Sequence, residues 1–114
     1  AALAVFVETD TGALLGADRA GAPGRPSEAI AEHVARQLLE DLTQGATVDR
    51  YLADQLLPYA ALADGCSTYR VPAITDHVSA SCWLVAQLTG ISAECQDHLL
   101  RVAGRAPQLR YYSG

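Results

Sequence analysis

Between Ser27 and Gly45 apolar residues return every four positions: Ile30, Val34, Leu38 and Leu42, with Ala31 and Ala35 beside them. That spacing predicts a helix with one apolar stripe. Glu32, Arg36 and Glu40 fall on the other side, where they can pair at i, i+4. Ser27 is the expected N-cap, or Pro26 a first-turn residue, and Gly45 the C-terminal cap. Ahead of this helix the pattern shortens. Leu3 to Glu8 alternates and is rich in Val and Phe, as a strand is. Thr9-Asp10-Thr11-Gly12 is a turn, and Ala13 to Ala17 can return as a second strand. Gly21 to Pro26 reads as a plain connecting loop, because it matches no phosphate-loop pattern.

Beyond Gly45 the elements are shorter. Thr47 or Asp49 can cap a short helix in which Leu52, Leu56 and Tyr59 face a core, and Pro58 ends or kinks it. Asp64-Gly65 is a turn, Ser67 to Val71 a strand, and Pro72 its stop. A third helix is expected from Asp76 to Leu88, with Val78, Cys82, Val85 and Ala86 on one face and Gly90 after its end. Ile91 to Cys95 and Leu99 to Ala103 pair as strands about a tight turn at Gln96-Asp97-His98. The order is β-β-α-α-β-α-β-β, an α+β class in two layers. Without the first strand and the short helix it is a split β-α-β-α-β-β unit, a four-stranded sheet with helices on one face, preceded by an extra hairpin strand. Residues 1–104 form this one domain, and 105–114, where the pattern is lost, are expected to be a loosely held tail.

Composition narrows the classes. The chain has 114 residues and no Met, so it reads as a piece of a longer protein. Half its residues are apolar, yet no run approaches the ~18 needed to cross a bilayer. No signal-peptide pattern opens it, since polar residues appear by Glu8. A net charge of -5, eight scattered Arg and no Lys argue against nucleic-acid binding by this piece alone. Cys66, Cys82 and Cys95 are odd in number and lack zinc-site spacing, which suits reduced, mostly buried thiols in a cytosolic protein.

Two groups of residues carry candidate chemistry. On a helix Tyr51, Asp54 and Gln55 stand at i, i+3 and i+4, so an aromatic plane, a carboxylate and an amide share one face. That set can stack on a base and bond its edge; the bland alternative is a half-exposed face, with Asp54 paired to Arg50. Thr75-Asp76-His77-Val78 is a helix start with His77 in its first turn, where free amide groups can hold a phosphate bonded to the ring. His33 and His98 read as ordinary surface residues. No Ser-His-Asp set or carboxylate pair has supporting spacing, which excludes the usual hydrolase patterns.

At these residues the chain resembles a known family. Tyr51-Leu52-Ala53-Asp54-Gln55-Leu56-Leu57-Pro58, then a strand, then Pro72 and His77, is similar to the C-terminal part of RNA 3'-terminal phosphate cyclases. The resemblance reaches upstream through Leu15-Gly16-Ala17 and Glu8-Thr9-Asp10-Thr11-Gly12, takes in Gly21 and Gly24, and continues through Trp83 to about Val102. It implies repeats of the split unit, related to the C-terminal domain of translation initiation factor three. It implies ATP-dependent conversion of an RNA 3'-phosphate into a 2',3'-cyclic phosphate, through AMP held on a histidine. Carried over by position, His77 is the adenylated nucleophile, and Tyr51, Asp54 and Gln55 form the adenine pocket. ATP with a divalent metal ion is the implied cofactor set, with no metal ligand among these residues, and the RNA 3'-phosphate end is the implied partner, met mainly by missing repeats. The family's histidine is followed at the third and fourth positions by Thr-Asn, where this chain has Ala80 and Ser81. That departure fits a second reading, a cyclase-like assembly factor for RNA or ribonucleoprotein without catalysis. A third is a plain interaction module. A lone repeat also leaves an apolar face open, from which self-association is expected.

Overall fold

The computed structural model describes residues 1–105, so of the expected tail only Arg105 is described. Its elements are β1 (Ala2–Glu8), β2 (Leu14–Ala20), α1 (Ser27–Thr43), α2 (Leu52–Gln55), α3 (Leu57–Leu62), β3 (Gly65–Arg70), α4 (Asp76–Thr89), β4 (Ala93–Gln96) and β5 (Leu99–Gly104). The α+β class is as read from the sequence. The single four-stranded sheet is not: the strands divide into a two-stranded sheet β1-β2 and a three-stranded sheet β3-β5-β4.

The first unit is a hairpin with a helix laid across it. β1 and β2 pair antiparallel from Ala2↔Ala20 to Glu8↔Leu14. Gly12 at φ +87 makes the turn, and the Thr9 N–H donates to the Ala13 carbonyl at 2.8 Å. β2 turns Leu15 and Ala17 inward, where they meet Val34, Leu38 and Ala46. α1 starts without a side-chain cap: Pro26 holds the N-cap position and Ser27 is already helical. It ends as expected. Gly45 at φ +70 donates to the Leu42 carbonyl (3.0 Å) and Ala46 to that of Asp41 (3.3 Å), a Schellman closure that tucks Ala46 into the core.

The second unit has the larger core. Val48, Ala53, Leu57, Ala60, Ala61, Tyr69, Val71, Val78, Val85, Leu100 and Val102 pack together between the sheet and α2, α3 and α4. The expected short helix is two helices, because Pro58 has no N–H to give the Asp54 carbonyl and the ladder breaks at Leu56. Its core face is Ala53, Leu57, Ala60 and Ala61, with the half-buried Leu56 packed beside them as expected; Leu52 and Tyr59, expected inside, are exposed, Tyr59 at 74%. α4 matches its expected face, with Val78 and Val85 buried and Cys82 and Ala86 half-buried. Gly104 lies so close to α3 that a Cβ there would overlap the Ala60 and Ala63 carbonyl oxygens. The β4-β5 turn places Asp97 and His98 at φ +50 and +65. Their carbonyls hold the end of β3, by accepting the Arg70 guanidinium (2.8 Å) and the Val71 N–H (2.9 Å) respectively.

The loop from Gln44 to Arg50 explains why β2 and β3 do not join. The Arg70 N–H donates to Thr47 Oγ1 and the Thr47 N–H to the Arg70 carbonyl, each at 2.9 Å. Two residues on, Asp49 Oδ2 accepts the Gly16 N–H of β2 at 2.9 Å. Backbone groups that strand pairing would satisfy are thus satisfied by the loop.

Candidate functional site

Asp49 opens the site segment. Its Oδ1 accepts the N–H groups of Tyr51 (3.1 Å) and Leu52 (2.9 Å), capping the turn that becomes α2. The same carboxylate reaches β2, so one side chain ties the segment to the hairpin. Arg50 is tied to α1. Asp41 Oδ1 accepts from its Nε (3.1 Å) and Nη2 (2.9 Å), Asp41 Oδ2 accepts its backbone N–H (3.1 Å), and Glu40 Oε2 accepts from Nη2 (2.9 Å). Asp41 is 2% exposed, the buried charged residue among the described ones. Partial burial would lower the Arg50 pKa, but the hydrogen bonds and charges of Asp41 and Glu40 outweigh it and raise it.

The sequence offers Asp54 as a partner for Arg50, whereas the structure gives Asp41. Asp41 lies three residues after Leu38 on the stripe of Ile30, Val34 and Leu38, and a carboxylate on an apolar stripe is the signal that could have found it.

Tyr51 is 42% exposed, and its hydroxyl bonds Gln37 Oε1 of α1. With Phe6, Val5, Gly16, Asp18 and Asp49 it lines a cavity of about 300 Å3 against the hairpin. Arg50 and Ala53 turn the other way. They line a cavity of about 340 Å3 with Glu40, Asp41, Pro72, Thr75 and Val78. Asp54 is half-buried and Gln55 exposed. Burial first, then the Cys82 thiol and the Asp54 carboxylate, push the Tyr69 phenol pKa up. α2 packs on α4.

His77 is the second residue of α4 and exposed. Thr75 caps this helix by accepting the Val78 N–H at 3.2 Å. Thr75 and Val78, which flank Asp76 and His77 in the chain, both line the larger cavity. Ser81 is half-buried and Ala80 exposed, one turn further on.

Other side chains depart from expectation. Cys66 and Cys95 are exposed rather than buried, Cys66 accepting the Arg101 Nε–H at 3.2 Å on the outer face of the sheet. Burial, helped by Cys95, pushes the half-buried Cys82 thiol up. Partial burial first, then the charges of Arg19, Arg36, Arg25 and Arg50, lower the pKa of His33. Among the described residues no three His, Cys, Asp or Glu side chains converge to hold a metal ion. No described helix is long and apolar enough to cross a membrane.

Thr75 caps α4 and His77 stands exposed in its first turn, and comparison with known proteins gives the family to which the chain belongs. Residues 5–95 match the family of RNA 3'-terminal phosphate cyclases. The chain is 34% identical over 92 residues to the RNA 3'-terminal phosphate cyclase of Methanopyrus kandleri, covering 81% of this chain and 26% of that one. It is 43% identical over 88 residues to that of Thermococcus onnurineus, covering 77% and 25%. A probable RNA 3'-terminal phosphate cyclase of Dictyostelium discoideum is 42% identical over 82 residues, covering 72% and 19%. The chain therefore belongs to the RNA 3'-terminal phosphate cyclase family, and it spans about a quarter of the length of the first two relatives.

Proposed function

We propose that this chain carries the adenylate-accepting part of an ATP-dependent enzyme that converts an RNA 3'-phosphate into a 2',3'-cyclic phosphate. The observation that carries the reading is the exposed His77 in the first turn of α4, between Thr75 and Val78, which line the larger cavity, in a chain of this family. A ring nitrogen of His77 attacks the α-phosphorus of ATP; an N–P bond forms, the bond to the bridging oxygen breaks and pyrophosphate leaves. Backbone N–H groups at the start of α4 favour the phosphate held on that ring. An oxygen of the RNA 3'-phosphate then takes the AMP, the N–P bond breaks, and His77 is restored. The 2'-hydroxyl attacks the activated 3'-phosphorus, its proton passes to solvent, and AMP leaves as the ring closes.

Tyr51, Asp54 and Gln55 recognise adenine in this reading: the Tyr51 ring stacks, and Asp54 or Gln55 bonds the amino edge of the base. Tyr51→Ala should weaken ATP binding about tenfold or more, with RNA affinity nearly unchanged. The described residues do not supply a metal site, so no step is assigned to the divalent ion that such transfers use. The RNA 3' end is the partner, and the cytoplasm the compartment. In isolation these residues turn over no RNA and self-associate through the exposed Trp83, Leu84 and Leu88 of α4.

The test is label from ATP carrying radioactive α-phosphate, incubated with the complete polypeptide that contains these residues. Acid-labile label should form on the wild type and be absent from a folded His77→Ala variant. Label at wild-type level in that variant would end the assignment. The second reading, a non-catalytic assembly factor, is favoured by Ala80 and Ser81 at the positions where the family has Thr-Asn; it predicts no label on the wild type either.

A further inference from the structure

Asp49 holds the backbone at the start of the binding segment but not the Tyr51 ring. Tyr51 is the N-cap residue of a helix only four residues long, and it is 42% exposed, so little packing fixes it. What holds the ring's hydroxyl comes from α1. The Tyr51 hydroxyl bonds the side-chain carbonyl Oε1 of Gln37. The backbone carbonyl of the same Gln37 accepts Arg50 Nη2 at 3.2 Å. One turn further along α1, buried Asp41 grips Arg50 through both its backbone N–H and its guanidinium. We propose that the last turns of α1 act as a clamp that positions the Tyr51 ring for nucleotide, Gln37 by holding its hydroxyl and Asp41 by fixing Arg50 beside it.

The division of labour follows from burial. Asp41 is fully inside and Arg50 lies partly over it, so this contact is also structural, and its loss leaves a buried charge unpaired. Gln37 and Tyr51 meet at the surface. Their bond contributes little to folding, yet it selects one ring orientation out of the several that an exposed tyrosine samples. A ligand that stacks on Tyr51 then meets a ring already in place and does not pay for ordering it. Gln37 is thus a positioning residue and not a contact of the ligand.

This inference rests on the reading of Tyr51 as part of the adenine face, and the experiment separates the two. ATP affinity is measured for the complete polypeptide with Gln37→Ala, Tyr51→Phe, both together, Asp41→Asn and Tyr51→Ala, alongside thermal stability. Gln37→Ala and Tyr51→Phe should each weaken ATP binding about three- to tenfold with unchanged melting temperature. The double variant should be no weaker than the worse single, because both remove the same bond. Asp41→Asn should lose affinity and stability together; if it does not fold, the surface pair still decides. Wild-type affinity in Gln37→Ala, or additive losses in the double variant, would overturn the clamp while leaving the adenine reading standing. Wild-type ATP affinity in Tyr51→Ala would overturn the adenine reading and the clamp with it.

Discussion

The hairpin unit and the three-stranded unit solve the same problem with different means. The first buries five apolar residues in its core cluster, the second eleven. A five-residue core is thin for a hairpin of two seven-residue strands and a 17-residue helix. The first unit compensates through a polar seam, made of Asp41 on Arg50, Asp49 on Gly16 and Thr47 on Arg70. The seam is also where Tyr51 sits, so the residues proposed to bind nucleotide lie where apolar packing is weakest and directional bonds do most of the positioning. Binding segments are commonly found at such places, because they need defined geometry more than buried area.

The largest expected effect tests whether the two cores are separate. Leu100→Ala empties a fully buried position in the larger core and should cost about 2–5 kcal/mol, lowering amide protection throughout. Leu15→Ala, also fully buried, should cost about as much locally but release β1, β2 and α1 while β3 and β5 stay protected from hydrogen exchange. Equal loss everywhere in both variants would mean one cooperative core and would dissolve the comparison.

A smaller effect probes the seam. Arg50→Ala leaves the Asp41 carboxylate buried and unpaired; since the arginine is itself 32% exposed, the cost should be about 2–3 kcal/mol. Chemical denaturation checks the size, and hydrogen exchange should place the loss in α1 and the hairpin. A cost below ~0.5 kcal/mol would show that the hairpin unit stands without its seam.

The smallest effect is chemical. Burial pushes the Cys82 thiol up, so at a given pH it carries less thiolate than it would in water. Near pH 8, alkylation of the native protein should therefore consume the exposed Cys66 and Cys95 first and Cys82 last, read by peptide mass. Unfolding should level the three. Early reaction at Cys82 would place α4 less firmly on its sheet than Val78 and Val85 indicate.

Much of this was legible in the chain, for physical reasons that differ by element. α1 and the hairpin are dictated by local rules: a four-residue apolar repeat, a Gly at a closing position, a polar turn between alternating strands. α4 announces itself by Thr75 before it and Gly90 after it, and His77 falls in its first turn as read. The face of α2 and α3 was misread because its core residues are largely alanines, whose burial leaves a faint pattern beside Leu52 and Tyr59. Sheet membership was misread because strand pairing is a choice between distant segments, and here Thr47 and Asp49 took the bonds that β2 and β3 could have exchanged. Of the candidate site, the residues stood out but their surroundings did not. Tyr51, Asp54, Gln55 and His77 were visible as types at a spacing, whereas the support from Gln37 and Asp41 arises only once α1 lies beside them.

The exposed side of α4 also provides an optical handle. Trp83 is the chain's one tryptophan, and it stands on the same helix as His77 with 65% of its surface open to water. Its emission in the isolated chain should lie toward the red, as for an indole in a polar, mobile solvent, and should be readily quenched by iodide. Any copy or neighbouring segment that settles on that side of α4 will shift the band to the blue and shield it from quencher. The molecule thus reports, without an added dye, when its open helix face is covered.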